Sequence, residues 1–394
     1  MRVLITDGDT RQALAATRSL GRLGHLVVVL SDLQRCLAGA SKYCSVAVRC
    51  PSPAHDPAAF VSAVIAAAEL HQVDVLLPMT EISTVLLTSN RGQLPARCRL
   101  PFPSHESVRR ANNKADTIDL ARDLGVPVPA SLRLSSPLGA RDELGQLQYP
   151  VVIKAACSRV LTAAGWISNS VHYAADLEAV REHLAGLPPE SYPVLLQERI
   201  EGPGVGVFML FDRGRPVARF AHRRLREKPP SGGVSVLCES ILVDSVAASQ
   251  AERLLQQLEW HGPAMVEFKR DRRDGSLRLM EINGRFWGSL QLAIDAGVDF
   301  PALLVDVAMG TPAIQSPSYR TGVRCRWLTG DMDSLLLVLL KDRRTLNLPV
   351  TYPGRLQSAW RFMHFLGQDS NFEIERRFDL GPARLEWRRR LAGT

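Results

Sequence analysis

A chain of 394 residues with 46% hydrophobic, 22% charged and 6% aromatic side chains is too long for one ordinary core and too apolar for disorder. It suits about two or three globular domains. Its formal net charge of +8 gathers at 219–230 and 372–390, in runs without interleaved aromatics or a groove-reading motif, which points to solvated faces or a phosphorylated small molecule and away from nucleic acid.

In chain order, RVLIT (2–6) reads as a buried strand, TRQALAATRSLGRLG (10–24) as a helix ended by Gly24, and HLVVVLSD (25–32) as a second strand. That order is a βαβ unit, and 56–72 followed by 73–81 repeats it, so the start predicts a parallel, doubly wound α/β lobe. The glycines of this lobe do not form GxGxxG, so no dinucleotide site is expected in it. A mixed proline, serine and asparagine stretch (100–117) marks a boundary near residue 112. Beyond it come a helix (114–125), a strand (149–156), a helix (174–187) and a strand (192–200). A hairpin over 204–224 turning at Asp212 to Gly214, a helix (245–260) and a last hairpin of 264–271 with 277–285 complete an α+β body. After 312 the pattern becomes less regular, and 313–394 is set apart as a C-terminal extension whose apolar face leaves room for a homodimer. Apolar runs fall far short of a bilayer span, and the seven scattered cysteines show no CxxC spacing. Neither a membrane helix nor a leader is expected, and a reducing cytoplasm fits.

Chemistry concentrates in the last hairpin. Residues i and i+2 of a strand share a face, so Glu281 and Asn283 present oxygens to one point, and Glu267 on the partner strand comes close to Glu281. Two adjacent carboxylates repel unless a cation or proton lies between them, and magnesium accepts such a half-shell. Edge-strand acids facing water are the alternative, and both readings stay open on this ground alone. Arg285, one step along, has a fork that suits phosphate. Lys154 ends the apolar run YPVVIK, where an ammonium is costly unless it meets an anion or solvent.

Lys114 in NNKADT, Lys154 in YPVVIKA, the hinge-like LLQERIEG, Glu267 in MVEFKRD and the closing MEINGRFWGS stand in an order that resembles the ATP-grasp superfamily. The resemblance spans 1–310 and is nearest to carboxylate–amine ligases and the carbamoyl-phosphate synthase large subunit. It implies a Rossmann-like lobe over 1–112 and an ATP-grasp domain of two α+β subdomains over 113–312. It further implies ATP phosphates on Lys114 and Lys154, adenine against Gln197, Glu198 and Ile200, and Mg2+, with Mn2+ as an alternative, on Glu267, Glu281 and Asn283. Arg285 and Lys154 would act on the transferring phosphoryl group. The implied reaction joins a small-molecule carboxylate to an amine through an acyl phosphate. Alternatives are an enzyme that makes an acyl or carbamoyl phosphate without its own amine transfer, and a nucleotide-binding module without catalysis.

Two features depart from the family pattern. The stretch after Lys154 has only Gly165 where relatives carry a glycine-rich flap, and Pro203-Gly204-Val205 stands where many place an acid for the ribose. The loop at 221–240 offers Arg223, Arg224 and Arg226 to an anionic substrate, with Gly232 and Gly233 as a closing turn.

Overall fold

The computed structural model describes residues 1–136, 144, 147–162, 165–311, 318–348, 352–364 and 370–392. Strands β1 (Arg2–Ile5), β2 (Leu26–Ser31), β3 (Val46–Arg49) and β4 (Val75–Leu77) form an all-parallel sheet in the order β3-β2-β1-β4. β1 and β2 are covered almost throughout, which is why they read as near-continuous apolar runs. Helix α1 (Arg11–Arg22) begins where the Thr10 side chain accepts from the Ala13 amide and stops short of Gly24, whose φ of +83° breaks it. Helices α2 (Pro57–Leu70), α3 (Glu81–Ser89) and α4 (His105–Asn112) complete this lobe. At Asn113 the chain breaks, and the Asn113 side chain caps α5 (Lys114–Asp123) by accepting from the Ala115 and Asp116 amides.

The second sheet holds β5 (Ser131–Leu134), β6 (Val151–Ala155), β9 (His172–Ala174) and β10 (Val194–Glu198) in the order β5-β10-β6-β9, with α6 (Leu177–Ala185) packed on it. Between β6 and β9 lies a separate hairpin of β7 (Arg159–Thr162) and β8 (Gly165–Ser168). A seven-stranded sheet follows, ordered β15-β14-β11-β12-β13-β16-β17. Its strands are β11 (Gly204–Asp212), β12 (Arg215–Lys228), β13 (Val234–Ile241), β14 (Gly262–Arg270), β15 (Leu277–Asn283), β16 (Arg324–Arg326) and β17 (Ser370–Phe372). The helices of this part are α7 (Ser245–Gln257), α8 (Leu290–Ala296), α9 (Phe300–Met309), α10 (Leu328–Leu340), α11 (Arg355–His364) and α12 (Gly381–Ala392).

β11 shows how one strand serves two cores. Phe208 and Leu210 face the core shared with the first lobe, α8 and α9, whereas Val205, Val207, Met209 and Phe211 face the core beneath α7. The β11–β12 turn falls at Arg213 and Gly214, both at positive φ, as the sequence predicts.

The sequence past 312 reads as less regular, and the structure adds detail to that segment. Its described residues carry three helices and two strands, and β16 pairs antiparallel with β13 while β17 pairs parallel with β16. Three-residue strands show no alternation of their own; the free edge of β13 supplies the template. The segment is also clamped to the first lobe, where buried Arg18 of α1 donates to Asp379 Oδ2 at 2.8 Å and to the Glu373 and Ile374 carbonyls, each at 2.8 Å. α10 and α11 leave Leu340, Leu356, Trp360 and Met363 exposed.

Candidate active site

The three structural parts meet around a cleft of about 550 Å³. On one wall, Glu267 of β14 and Glu281 of β15 are direct cross-strand partners. A bulge at Met280 sits beside them, since Phe268 pairs with Leu279 and Glu267 with Glu281. The extra residue lets Leu279 and Ile282 both enter the core while Glu281 and Asn283 face the cleft. Asn283 Nδ2 donates to Glu281 Oε1 at 2.8 Å, and Arg285 Nη2 donates to Asn283 Oδ1 at 3.1 Å. Gly284 makes this turn possible, because a Cβ there would stand 2.4 Å from the ring of fully buried Trp260. Gly284→Ala is expected to destabilise the protein by about 1–3 kcal/mol through overpacking, read from the urea midpoint. A loss below about 0.5 kcal/mol, the level of an ordinary surface change, would show that the indole moves aside freely.

Two lysines face these acids. Lys114, at the start of α5, is placed by the Asn113 cap and by its own amide donating to Ala156 O at 2.8 Å. Its Nζ donates to Ser158 Oγ at 2.7 Å and lies 3.9 Å from Glu281 Oε2. Lys154 of β6 is paired across the sheet with Leu195, and its Nζ donates to Gln197 Oε1 at 2.9 Å. Burial pushes the Lys154 ammonium down to about 8, against the pull of the Glu281 carboxylate. Burial also raises Glu267, although Arg224 opposes it, and the Glu281 charge adds to the rise. Glu281 goes the other way: burial alone would raise it, but Lys114, the Asn283 amide and Lys154 together hold it below the usual range.

A further cation on this wall is Arg224 of β12, which donates to Glu267 Oε2 at 2.5 Å and to Glu227 Oε1 at 2.9 Å. Next to it, His222 is buried, bonded to Ser289 Oγ at 2.9 Å, and held neutral, its pKa lowered to about 3 by burial and by Arg224.

This arrangement of sheets and helices recurs in solved structures. An L-amino acid ligase from Bacillus licheniformis matches with a TM-score of 0.59 at 16% identity, over 78% of this chain and 74% of that one. A biotin carboxylase–β,γ-ATP complex from Campylobacter jejuni gives 0.63 at 16% identity, over 82% and 74%. N5-carboxyaminoimidazole synthetase from Staphylococcus aureus gives 0.62 at 13% identity, over 81% and 79%. Residues 190–331 match the sequence model of the family described as ATP-grasp in the biosynthetic pathway with Ter operon. The chain has the ATP-grasp fold. No curated protein matches it in sequence.

Within the ATP-grasp cleft, the structure gathers Lys114, Lys154, Glu198, Ile200, Arg224, Gly232, Gly233, Glu267, Glu281, Asn283 and Arg285. Gln197 is buried beneath the cleft, its side chain spent on Lys154 and on Ser131 Oγ. Two of the expected substrate arginines lie elsewhere. Arg223 points to the opposite face of β12 and pairs with Glu239. A bulge at Leu225 turns Arg226 out to Asp331 and brings Glu227 into the cleft in its place. In place of a glycine-rich flap stands the β7–β8 hairpin; Trp166 donates to Pro53 O at 3.1 Å, and none of the hairpin's described residues lines the cleft. Sequence reasoning missed Lys269, whose Nζ donates to Ile200 O at 3.3 Å, and Arg11 of α1, which lines the far end. Lys269 was legible as the cleft-side neighbour of Glu267 at i+2; Arg11 carried no signal, being placed by the packing of α1 on α8.

Proposed function

We propose that this chain is an ATP- and magnesium-dependent ligase that joins a carboxylate to an amine. The observation that carries the reading is the direct opposition of Glu267 and Glu281 beside two lysines in one cleft. Side by side, such carboxylates need a cation or a proton between them. In the structure Arg224 supplies positive charge to Glu267, and Lys114 stands by Glu281. Among the described residues no group of three or more acidic, histidine or cysteine side chains is placed to hold a metal ion by itself. Magnesium requires none, since one or two carboxylates with substrate phosphates complete its shell.

Glu267, Glu281 and Asn283 would hold Mg2+ (or Mn2+), which when bound neutralises charge on the phosphates. Lys114 and Lys154 would hold phosphate oxygens, Ile200 and the backbone at Glu198 would line the base, and Arg285 would steady the phosphoryl group in transfer. A substrate carboxylate oxygen takes the terminal phosphoryl group of ATP, leaving ADP and an acyl phosphate. An amine then attacks the acyl carbon, phosphate departs with the bonding pair, and the amine releases a proton to solvent. In this reading 1–112 is the leading lobe, 113–312 the ATP-grasp body, and 313–394 a flank that extends the large sheet.

ADP release in the presence of pooled carboxylic acids, with and without pooled amines, tests the reading against Glu281→Ala. Release that needs both pools and disappears in the variant is the expected result. Release with acids alone would assign an acyl-phosphate-forming enzyme instead, and ATP binding without release under any pool would leave a binding module.

The depressed Lys154 ammonium gives the reading a pH signature. Unliganded, it is mostly neutral at pH 8.5; a polyphosphate beside it favours the charged form and raises its pKa. ATP binding at pH 8.5 is therefore expected to take up a fraction of a proton, and affinity to fall as pH rises from 8 to 10. Calorimetry in buffers of different ionisation enthalpy measures this, and zero uptake would place the phosphates away from Lys154.

A further inference from the structure

The arginine-rich end of the chain takes no part in the ATP-grasp cleft, and apart from exposed Arg377 the structure sorts its arginines into two sets. Arg376 pairs with Asp295, Arg389 with Asp9 and Arg390 with Asp333. Arg384 and Arg388, one turn apart on α12, form no ion pair among the described residues and instead line a second cleft of about 400 Å³. Arg35 and Arg49 line the same cleft. The Arg49 Nε donates only to a backbone carbonyl, Asp32 O, at 3.3 Å. Among the described residues no carboxylate lines this cleft.

Like charges at i and i+4 of a helix repel, and four guanidinium groups around a concave surface focus positive potential on whatever enters. The walls are well fixed. One is formed by the carboxyl ends of parallel strands β2 and β3, where open parallel sheets leave crevices for ligands. The other is the first two turns of α12, whose dipole adds positive charge. Gly381 approaches so closely that a Cβ there would stand 2.0 Å from Ala40 O. On another face of α12, Glu386 Oε1 accepts from Trp327 Nε1 and Thr329 Oγ1, both at 2.8 Å, so the arginines stand on an anchored helix. Val48 and Leu385 add apolar surface between the guanidinium groups.

We infer that this second cleft binds a small molecule carrying a phosphate or pyrophosphate group. It shares no lining residue with the ATP-grasp cleft. Its volume falls in the range of small-ligand pockets, and guanidinium forks match phosphate oxygens bidentately. Acids neutralise Arg376, Arg389 and Arg390, and Arg377 stands exposed outside the cleft, so the four guanidinium groups of the cleft form a local cluster and not a continuous stripe, which suits a small ligand and not a nucleic-acid strand.

Calorimetric titration with inorganic pyrophosphate in magnesium-free buffer tests this on the full chain. Wild type, Arg384→Gln/Arg388→Gln, Arg35→Gln and Lys114→Gln/Lys154→Gln are compared. A salt-sensitive binding event is expected to survive in the lysine variant and to weaken by about tenfold or more in each arginine variant. Arg384 and Arg388 have no acidic partner to lose, so their variant should melt with wild type, and Arg35→Gln provides an independent loss from the opposite wall. Absence of binding in wild type at millimolar pyrophosphate would overturn the inference. So would equal binding in both arginine variants, or loss in the folded lysine variant alone. Tighter, arginine-dependent binding of a short single-stranded oligonucleotide would overturn it in favour of nucleic acid.

Discussion

Glu281→Gln is expected to lower ATP turnover by about 10²–10³-fold with little change in stability. Glu281 lies 3.9 Å from Lys114, accepts from Asn283 at 2.8 Å and faces Glu267 across the strands. Glutamine keeps the volume and one acceptor oxygen but removes the charge that opposes the burial of Lys154. Both the proposed magnesium ligand set and the protonated lysine are thereby weakened. Stability should hold, because the substitution also removes the repulsion that helps raise Glu267. The check is the rate of ADP formation at saturating ATP together with the urea midpoint. Turnover within about threefold of wild type would take Glu281 out of the reaction, since charge-developing steps lose far more when a stabilising group is removed.

Arg18→Met is expected to destabilise the chain by about 3–5 kcal/mol, the largest folding effect foreseen for a single side chain here. Arg18 is buried, with its side chain 3% exposed, and its partner Asp379 is 1% exposed. Besides Asp379 Oδ2 it reaches the carbonyls of Glu373, Ile374 and Asp379, at 2.8, 2.8 and 3.1 Å. Asp379 also accepts from Ser41 Oγ at 2.7 Å and from the Lys42 amide at 3.0 Å. Methionine would fill the space and leave a buried carboxylate without its cation and three carbonyls without a donor. Chemical denaturation gives the loss directly. A loss below about 1 kcal/mol, the value of an exposed pair, would show that water reaches Asp379 and that the C-terminal segment is not held by this clamp.

Much of the site was legible because its chemistry is local. Glu281, Asn283 and Arg285 lie within five residues on one strand end, and the short hairpin carries Glu267 to them. What failed was the assumption of strict alternation. In LRLMEIN a period of 2 would put Leu279 on the same side as Glu281, and the bulge at Met280 resolves that conflict. The same device at Leu225 separates Arg224 from Arg226, which alternation would have kept together. Gln197 shows a different failure. Its place beside the hinge was readable, but its role as the partner of Lys154 depends on the pairing of β10 with β6.

By itself the sequence determined the apolar strands, the end of the first helix at Gly24, the turn within Asp212 to Gly214, and the carboxylates of the last hairpin, because each follows from contacts or dihedral preferences within a few residues. Only the tertiary structure decided that β16 and β17 extend the large sheet, that Arg11 lines the cleft, and that Arg384 and Arg388 meet Arg35 and Arg49 across a second one. The partners in these contacts lie from tens to hundreds of positions apart in the chain. Three-residue strands and single arginines carry no periodic signal of their own, so their placement rests on packing, on close approaches at Gly381 and Gly288, and on buried ion pairs that exist only once distant segments have met.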